Sequence, residues 1–267
     1  MNADARARQH PHPCHAARPG EERPNRLVRH RTSPAHAARP SGAPPHPPPR
    51  ARHRTSPSGA VIHQLAARLR RLPPSCGPVR LVGVDGHAGS GKSTFAARLA
   101  EALGGAPVLH LDDIASHDEL FAWTPRLMAE VIEPLGRGET AHYSPYDWRA
   151  RRFAPPRPLP PAPVVLMEGV GAGRRALRPY LARLLWMEMP PEEAWARGRA
   201  RDGEEQREFW DGWVRAELRH VVEDPSRPHA DALVRQLGEG YEVLPGPAAR
   251  SGPDRDVTHR EDPRSMW

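Results

Sequence analysis

Lysine is almost missing: Lys92 is the single lysine among 39 Lys and Arg side chains. Cysteine is nearly as scarce, with only Cys14 and Cys76, which excludes a disulfide framework and gives no cysteine metal spacing. No apolar run approaches the roughly 20 residues that cross a bilayer, so no spanning helix is expected. The N-terminal residues lack the apolar core of a secretory signal, and a cytoplasmic protein is expected.

Proline, arginine and histidine are plentiful but unevenly spread. Residues 1–59 hold 12 of the 34 prolines, 7 of the 15 histidines and 11 arginines against 3 acids. A stretch so poor in large aliphatic residues cannot offset its ordering entropy, so 1–59 is expected to be a disordered basic tail. Its net charge of +8 exceeds the whole chain's +7, leaving the remainder near −1. The body therefore lacks the excess positive charge of a nucleic-acid groove, and no specific nucleic-acid partner is expected. The HPHPCH tract at residues 10–15 reads as composition rather than a metal site. Residues 246–267 return to Pro, Gly, Asp and Arg and are expected to be a second disordered segment, leaving 60–245 as the folded domain.

Within that domain, VIHQLAARLRRL places Val61, Ile62, Leu65, Leu69 and Leu72 on one helical face. PVRLVGVDG reads as a buried parallel strand, STFAARLAEAL as the helix after it and PVLHLDD as a second strand. A helix is expected over about 119–135, and the proline-rich residues 136–163 as an irregular surface excursion. PVVLMEGV and LARLLWMEM supply further strands, ADALVRQL or GYEVL the last, with helices over about 190–201 and 205–223. Strands alternating with helices predict an α/β fold with a doubly wound, mostly parallel sheet of five strands.

Between the first strand and its helix, Gly86, His87, Ala88, Gly89, Ser90, Gly91, Lys92 and Ser93 complete the GxxxxGKS/T phosphate-loop pattern, followed by Thr94. Glycines let the backbone wrap closely round phosphates, while the loop amides and helix N-terminus supply positive potential. Lys92 is expected to reach the phosphates of ATP and Ser93 to ligate Mg²⁺. The persistence of one lysine in an arginine-rich chain has a physical reason: an ammonium is a compact point charge, whereas a guanidinium is a wide planar fork.

Asp112 and Asp113 end the second expected strand, where ligands of doubly wound sheets bind. One can activate an acceptor hydroxyl while the other caps a helix. From here the chain resembles the uridine kinase and phosphoribulokinase group of P-loop kinases, over residues 78–245. The resemblance implies a P-loop fold with a small helical lid, Asp112 as base, and Glu168 in VVLMEGV as organiser of Mg²⁺. It also implies acceptor contacts from Tyr146 and Asp147 in YSPYDWRARRF, and lid arginines. Arg201, directly before Asp202, matches the group's Arg-Asp pair, with Arg197 as a further contact. The group's aromatic residues after the base are Ile114 and Ala115 here, and its histidine after the Tyr-Asp string is absent, which argues against pyrimidine nucleoside specificity.

The expectation is thus a Mg·ATP-dependent kinase acting on a small hydroxyl-bearing acceptor, with no membrane partner. Two rivals stand beside it. A nucleoside monophosphate kinase would use Arg149, Arg151 and Arg152, and a non-catalytic ATP-binding regulator would not need Asp112.

Overall fold

The sheet assembles around two strands, Arg80–Asp85 and Val164–Glu168, that are buried along both faces. The computed structural model describes residues 57–250; residues 1–56 of the basic stretch, with its histidine and cysteine tract, and nearly all of the expected C-terminal tail lie outside them, while the last three residues of the expected basic tail open the first helix. The elements run α1 (Pro57–Arg71), β1 (Arg80–Asp85), α2 (Lys92–Ala102), β2 (Val108–His110), α3 (Thr124–Leu127), a π-helical turn (Met128–Ile132) and α4 (Glu133–Gly136). Then come β3 (Ala141–Tyr143), β4 (Tyr146–Asp147), β5 (Arg152–Phe153), β6 (Arg157–Leu159), β7 (Val164–Glu168) and β8 (Leu181–Met187). α5 (Pro191–Asp202), α6 (Arg207–Glu223), β9 (Ala232–Leu237) and β10 (Gly240–Pro245) complete the series.

The main sheet has six strands in the order β10-β9-β8-β1-β7-β2. All neighbours are parallel except β9 and β10, which form an antiparallel hairpin. Five strands were expected; both candidates for the last strand pair with each other, which gives the sixth. Side chains alternate across the sheet. Leu81, Val165 and Met167 pack with Trp123, Leu127, Ile132 and Leu135 on one face. On the other, Val82, Val84 and Leu166 pack with Ile62, Leu65 and Leu69 of α1 and with Phe95 and Leu99 of α2. This two-sided burial is why β1 and β7 read as unbroken apolar runs.

Three local expectations are corrected. The helix placed from about 119 begins at Thr124, because Pro125, which lacks an N–H, belongs in a first turn. The second strand stops at His110, and Leu111–Asp113 form a 3-10 turn. The excursion is not irregular: β3 pairs with β6 and β4 with β5 as two short antiparallel hairpins. Among the described residues no helix is long and apolar enough to cross a membrane.

Candidate active site

Parallel register brings the ends of three strands together. Val84 of β1 pairs with Glu168 of β7, and Glu168 pairs with His110 of β2. The phosphate loop leaves β1 at this edge. Gly86, Gly89 and Gly91 have φ values of 147°, 84° and 94°, which residues with a Cβ rarely adopt. At Gly89 a Cβ would also lie 2.0 Å from the Ala194 carbonyl oxygen of α5. No side chain caps the N-terminus of α2, so its first amides stay available to an anion.

Lys92 is buried and donates to the carbonyls of Gly86 at 3.0 Å and His87 at 2.9 Å. Ser93 and Thr94 are exposed in the first turn of α2, while the Ser90 hydroxyl is buried without a partner. Asp85 anchors the loop from below. Its carboxylate accepts the amides of Gly86 at 2.7 Å, Gly171 at 3.0 Å and Gly173 at 2.8 Å, joining the end of β1 to the turn after β7.

The two adjacent aspartates separate cleanly. Asp113 is engaged by Arg157 of β6 and, at 3.5 Å, by the Tyr143 hydroxyl of β3. The Asp112 carboxylate takes no hydrogen bond from any described residue, while its backbone carbonyl accepts from Trp148 Nε1 at 2.9 Å. Asp112 reaches solvent at the crevice surface but is crowded by protein on its inner side. That desolvation, with the charge of Glu168, pushes its carboxyl above the ordinary value against the pull of Lys92 and His110. Glu168 is buried and bonded by His110 Nδ1 at 2.5 Å. This hydrogen bond holds the His110 imidazole above its ordinary pKa, although burial opposes it.

The acceptor-side expectations fare differently. Tyr146 is buried, with His117, Trp148 and Phe153 rings 5.0–5.6 Å from its own. Its hydroxyl bonds His117 Nδ1 at 3.0 Å, so it packs the excursion instead of presenting a face for stacking. Asp147 accepts the amides of Arg149 at 3.0 Å and Ala150 at 2.9 Å, closing the β4–β5 turn; the Ala150 amide leads in lowering its pKa. Ile114 and Ala115 are buried in the core. Arg197 is not among the acceptor-side rings: its Nη1 lies 3.5 Å from Gln236 Oε1, and its guanidinium is the nearest side chain to Gly91 of the loop. Arg201 forms a two-pronged pair with Asp202 at 2.6 and 2.9 Å, and its charge and that of Asp112 are close enough to interact.

Sequence reasoning missed Asp85 and Glu217. Glu217 of α6 is buried and accepts from His87 Nδ1 at 2.8 Å, Ala88 N at 3.3 Å, Trp195 Nε1 at 3.1 Å and Trp213 Nε1 at 2.8 Å. The signal was a carboxylate on the inward face of a helix, in step with Trp210, Trp213 and His220.

The residues present fit a bound nucleotide: an uncapped helix N-terminus, three left-handed glycines and one buried ammonium meet at the loop. They also fit Mg²⁺ held partly through phosphates, since the hydroxyl of Ser93 and the carboxylate of Glu168 are hard oxygen donors. Among the described residues no cluster of three His, Cys, Asp or Glu could hold a metal by itself.

No family model and no curated protein matches this chain. Solved structures do. A proposed uridine kinase from Bacillus stearothermophilus is 17% identical, over 64% of this chain and 96% of its own, with a TM-score of 0.49. A proposed fructose transport system kinase from a Silicibacter species is 22% identical, over 64% of this chain and 90% of its own, with a TM-score of 0.41. At these identities and TM-scores the likeness says nothing about chemistry.

Proposed function

We propose that this protein is a uridine kinase-like P-loop kinase that transfers the γ-phosphate of ATP to a hydroxyl of a small acceptor. One observation carries the reading: beside the phosphate loop, Asp113 is tied off by Arg157 and Tyr143 while Asp112 keeps an unengaged carboxylate within the field of Lys92 and Glu168. A carboxylate left open in the crevice and raised in pKa is suited to accept a proton.

In this reading Lys92 and the amides of the first turn of α2 hold the phosphates, the Gly86 and Ala88 amides being taken by Asp85 and Glu217, and Asp112 takes the proton of the acceptor hydroxyl. Ser93 and Glu168 hold the metal, with His110 fixing the Glu168 carboxylate. Mg·ATP, when bound, supplies the phosphoryl group and neutralises its charge. Arg197, placed beside Gly91, serves the phosphates, and Arg201 at the end of α5 faces the charge at Asp112. Catalysis by such a site is positioning and charge neutralisation.

A second reading, a nucleoside monophosphate kinase, has its own support. Arg149, Arg151 and Arg152 are exposed on the β4–β5 hairpin, which Trp148 fastens to Asp112. A phosphate on the acceptor could be met there.

The experiment incubates the full chain with Mg·ATP and a panel of nucleosides, nucleoside monophosphates and small alcohols, beside Lys92→Ala and Asp112→Asn. ADP formation that needs one acceptor and both residues supports the kinase, and the responding acceptor chooses between the readings. Nucleotide binding without acceptor-dependent turnover would instead make this an ATP-binding regulator.

A further inference from the structure

Glu217 has no role in the transfer described above, yet its side chain is 0% exposed. Burying a carboxylate costs several kcal/mol even when it is paired, and an apolar side chain would pack α6 at least as well. What an apolar side chain cannot do is accept hydrogen bonds. The Glu217 carboxylate gathers donors from three elements: His87 and Ala88 from the phosphate loop, Trp195 from α5 and Trp213 from α6 itself. The loop meets α5 again at Gly89, where only a missing Cβ lets it approach the Ala194 carbonyl. The loop is therefore clasped between α5 and α6, the pair that would form the expected helical lid, and α5 also carries Arg197 to the side of Gly91.

We propose that Glu217 is a positioning residue that fastens the helical lid to the phosphate loop, setting the His87–Gly89 turn in its binding shape before nucleotide arrives. Two of its donors come from the loop, and one of them is a main-chain amide whose direction is the loop conformation. The other two come from α5, which bears both Arg197 and Arg201, and from α6 itself. Loop and lid thus answer to one carboxylate, and nucleotide affinity follows its integrity through preorganisation.

The inference rests on the phosphate-loop reading, and its test separates the two. Amide hydrogen exchange is measured on the nucleotide-free full chain and on Glu217→Gln and His87→Ala, with folding checked by circular dichroism. The amides of residues 86–91 are expected to exchange about tenfold faster in Glu217→Gln, the loss of roughly one charged hydrogen bond, while β1 and β7 stay protected. In turnover assays the KM for Mg·ATP is expected to rise about tenfold, with kcat and the acceptor KM within about twofold. His87→Ala should reproduce both changes in smaller measure, and it decides the matter if Glu217→Gln does not fold. Unchanged loop exchange, or an acceptor KM that rises as much as that for Mg·ATP, overturns the proposal. A wild-type chain that binds no nucleotide defeats the phosphate-loop reading instead, and loop exchange still judges Glu217.

Discussion

Lys92 is held between two carbonyls about 3 Å from its ammonium, a space shaped for a point charge. Lys92→Arg is accordingly expected to fail nearly as badly as Lys92→Ala, each lowering turnover by about 10²–10³-fold, as measured by ADP release. Asp112→Asn should lower kcat by about 10²–10⁴-fold while leaving Mg·ATP affinity, measured by calorimetry, nearly unchanged. Asp112 works as a base only when ionised, and desolvation and Glu168 raise its pKa. The wild-type kcat should therefore fall as pH drops through a value above the ordinary aspartate range of about 4. The loop itself was legible in the sequence, because its glycines take φ values that residues with a Cβ rarely adopt and its lysine is held between two loop carbonyls. Between Asp112 and Asp113 the residues alone left the role of base open, and only the resemblance pointed to Asp112. What engages Asp113 could not be read, because Tyr143 and Arg157 lie 30 and 44 residues beyond it and arrive only when β3 and β6 pair.

Elements meet at glycines. A Cβ on Gly198 of α5 would lie 2.2 Å from the Trp210 ring of α6, and one on Gly89 would strike α5 backbone. Gly198→Ala is expected to push α5 from α6 and lower Tm by about 3–10 °C, the range for overpacking in a domain of this size. Gly89→Ala should cost at least as much and also remove nucleotide binding, since the Ala194 carbonyl belongs to a helix backbone that cannot swing aside. Thermal scans with and without Mg·ATP separate the two variants. The strands were readable because two-sided burial writes continuous apolar runs. The excursion was not, because its hairpins are two or three residues long and rest on tertiary partners such as the Tyr146, Trp148 and Phe153 rings.

Across the whole molecule, Glu217 joins the loop, α5 and α6 at one buried point. Burial raises its pKa, but hydrogen bonds from His87 and Trp213 and the charge of Lys92 outweigh that, and the carboxyl lies below its ordinary value. A depressed acid contributes stability that is complete above the unfolded value, about 4.3, and is lost as pH falls through the folded value. Glu217→Gln should therefore lower stability near neutrality by about 1.5 kcal/mol, the loss of roughly one charged hydrogen bond. The Tm gap from wild type should hold down to about pH 5 and close in more acidic buffer. Thermal scans from pH 3 to 8 check this. Glu217 escaped sequence reading because an acid in a charged helix looks like a solvated one until the partners on its face are known.

α1 shares one apolar cluster with β10: Ile62, Leu65, Ala66 and Leu69 pack together with Tyr241 and, at the margin, Val243. The earliest described helix thus leaves the ribosome long before the strand that finishes its cover has been translated. That side of the core cannot close before β10 has been made, and the half-made chain must carry α1 with its greasy stripe only partly shielded by α2 until the β9–β10 hairpin emerges.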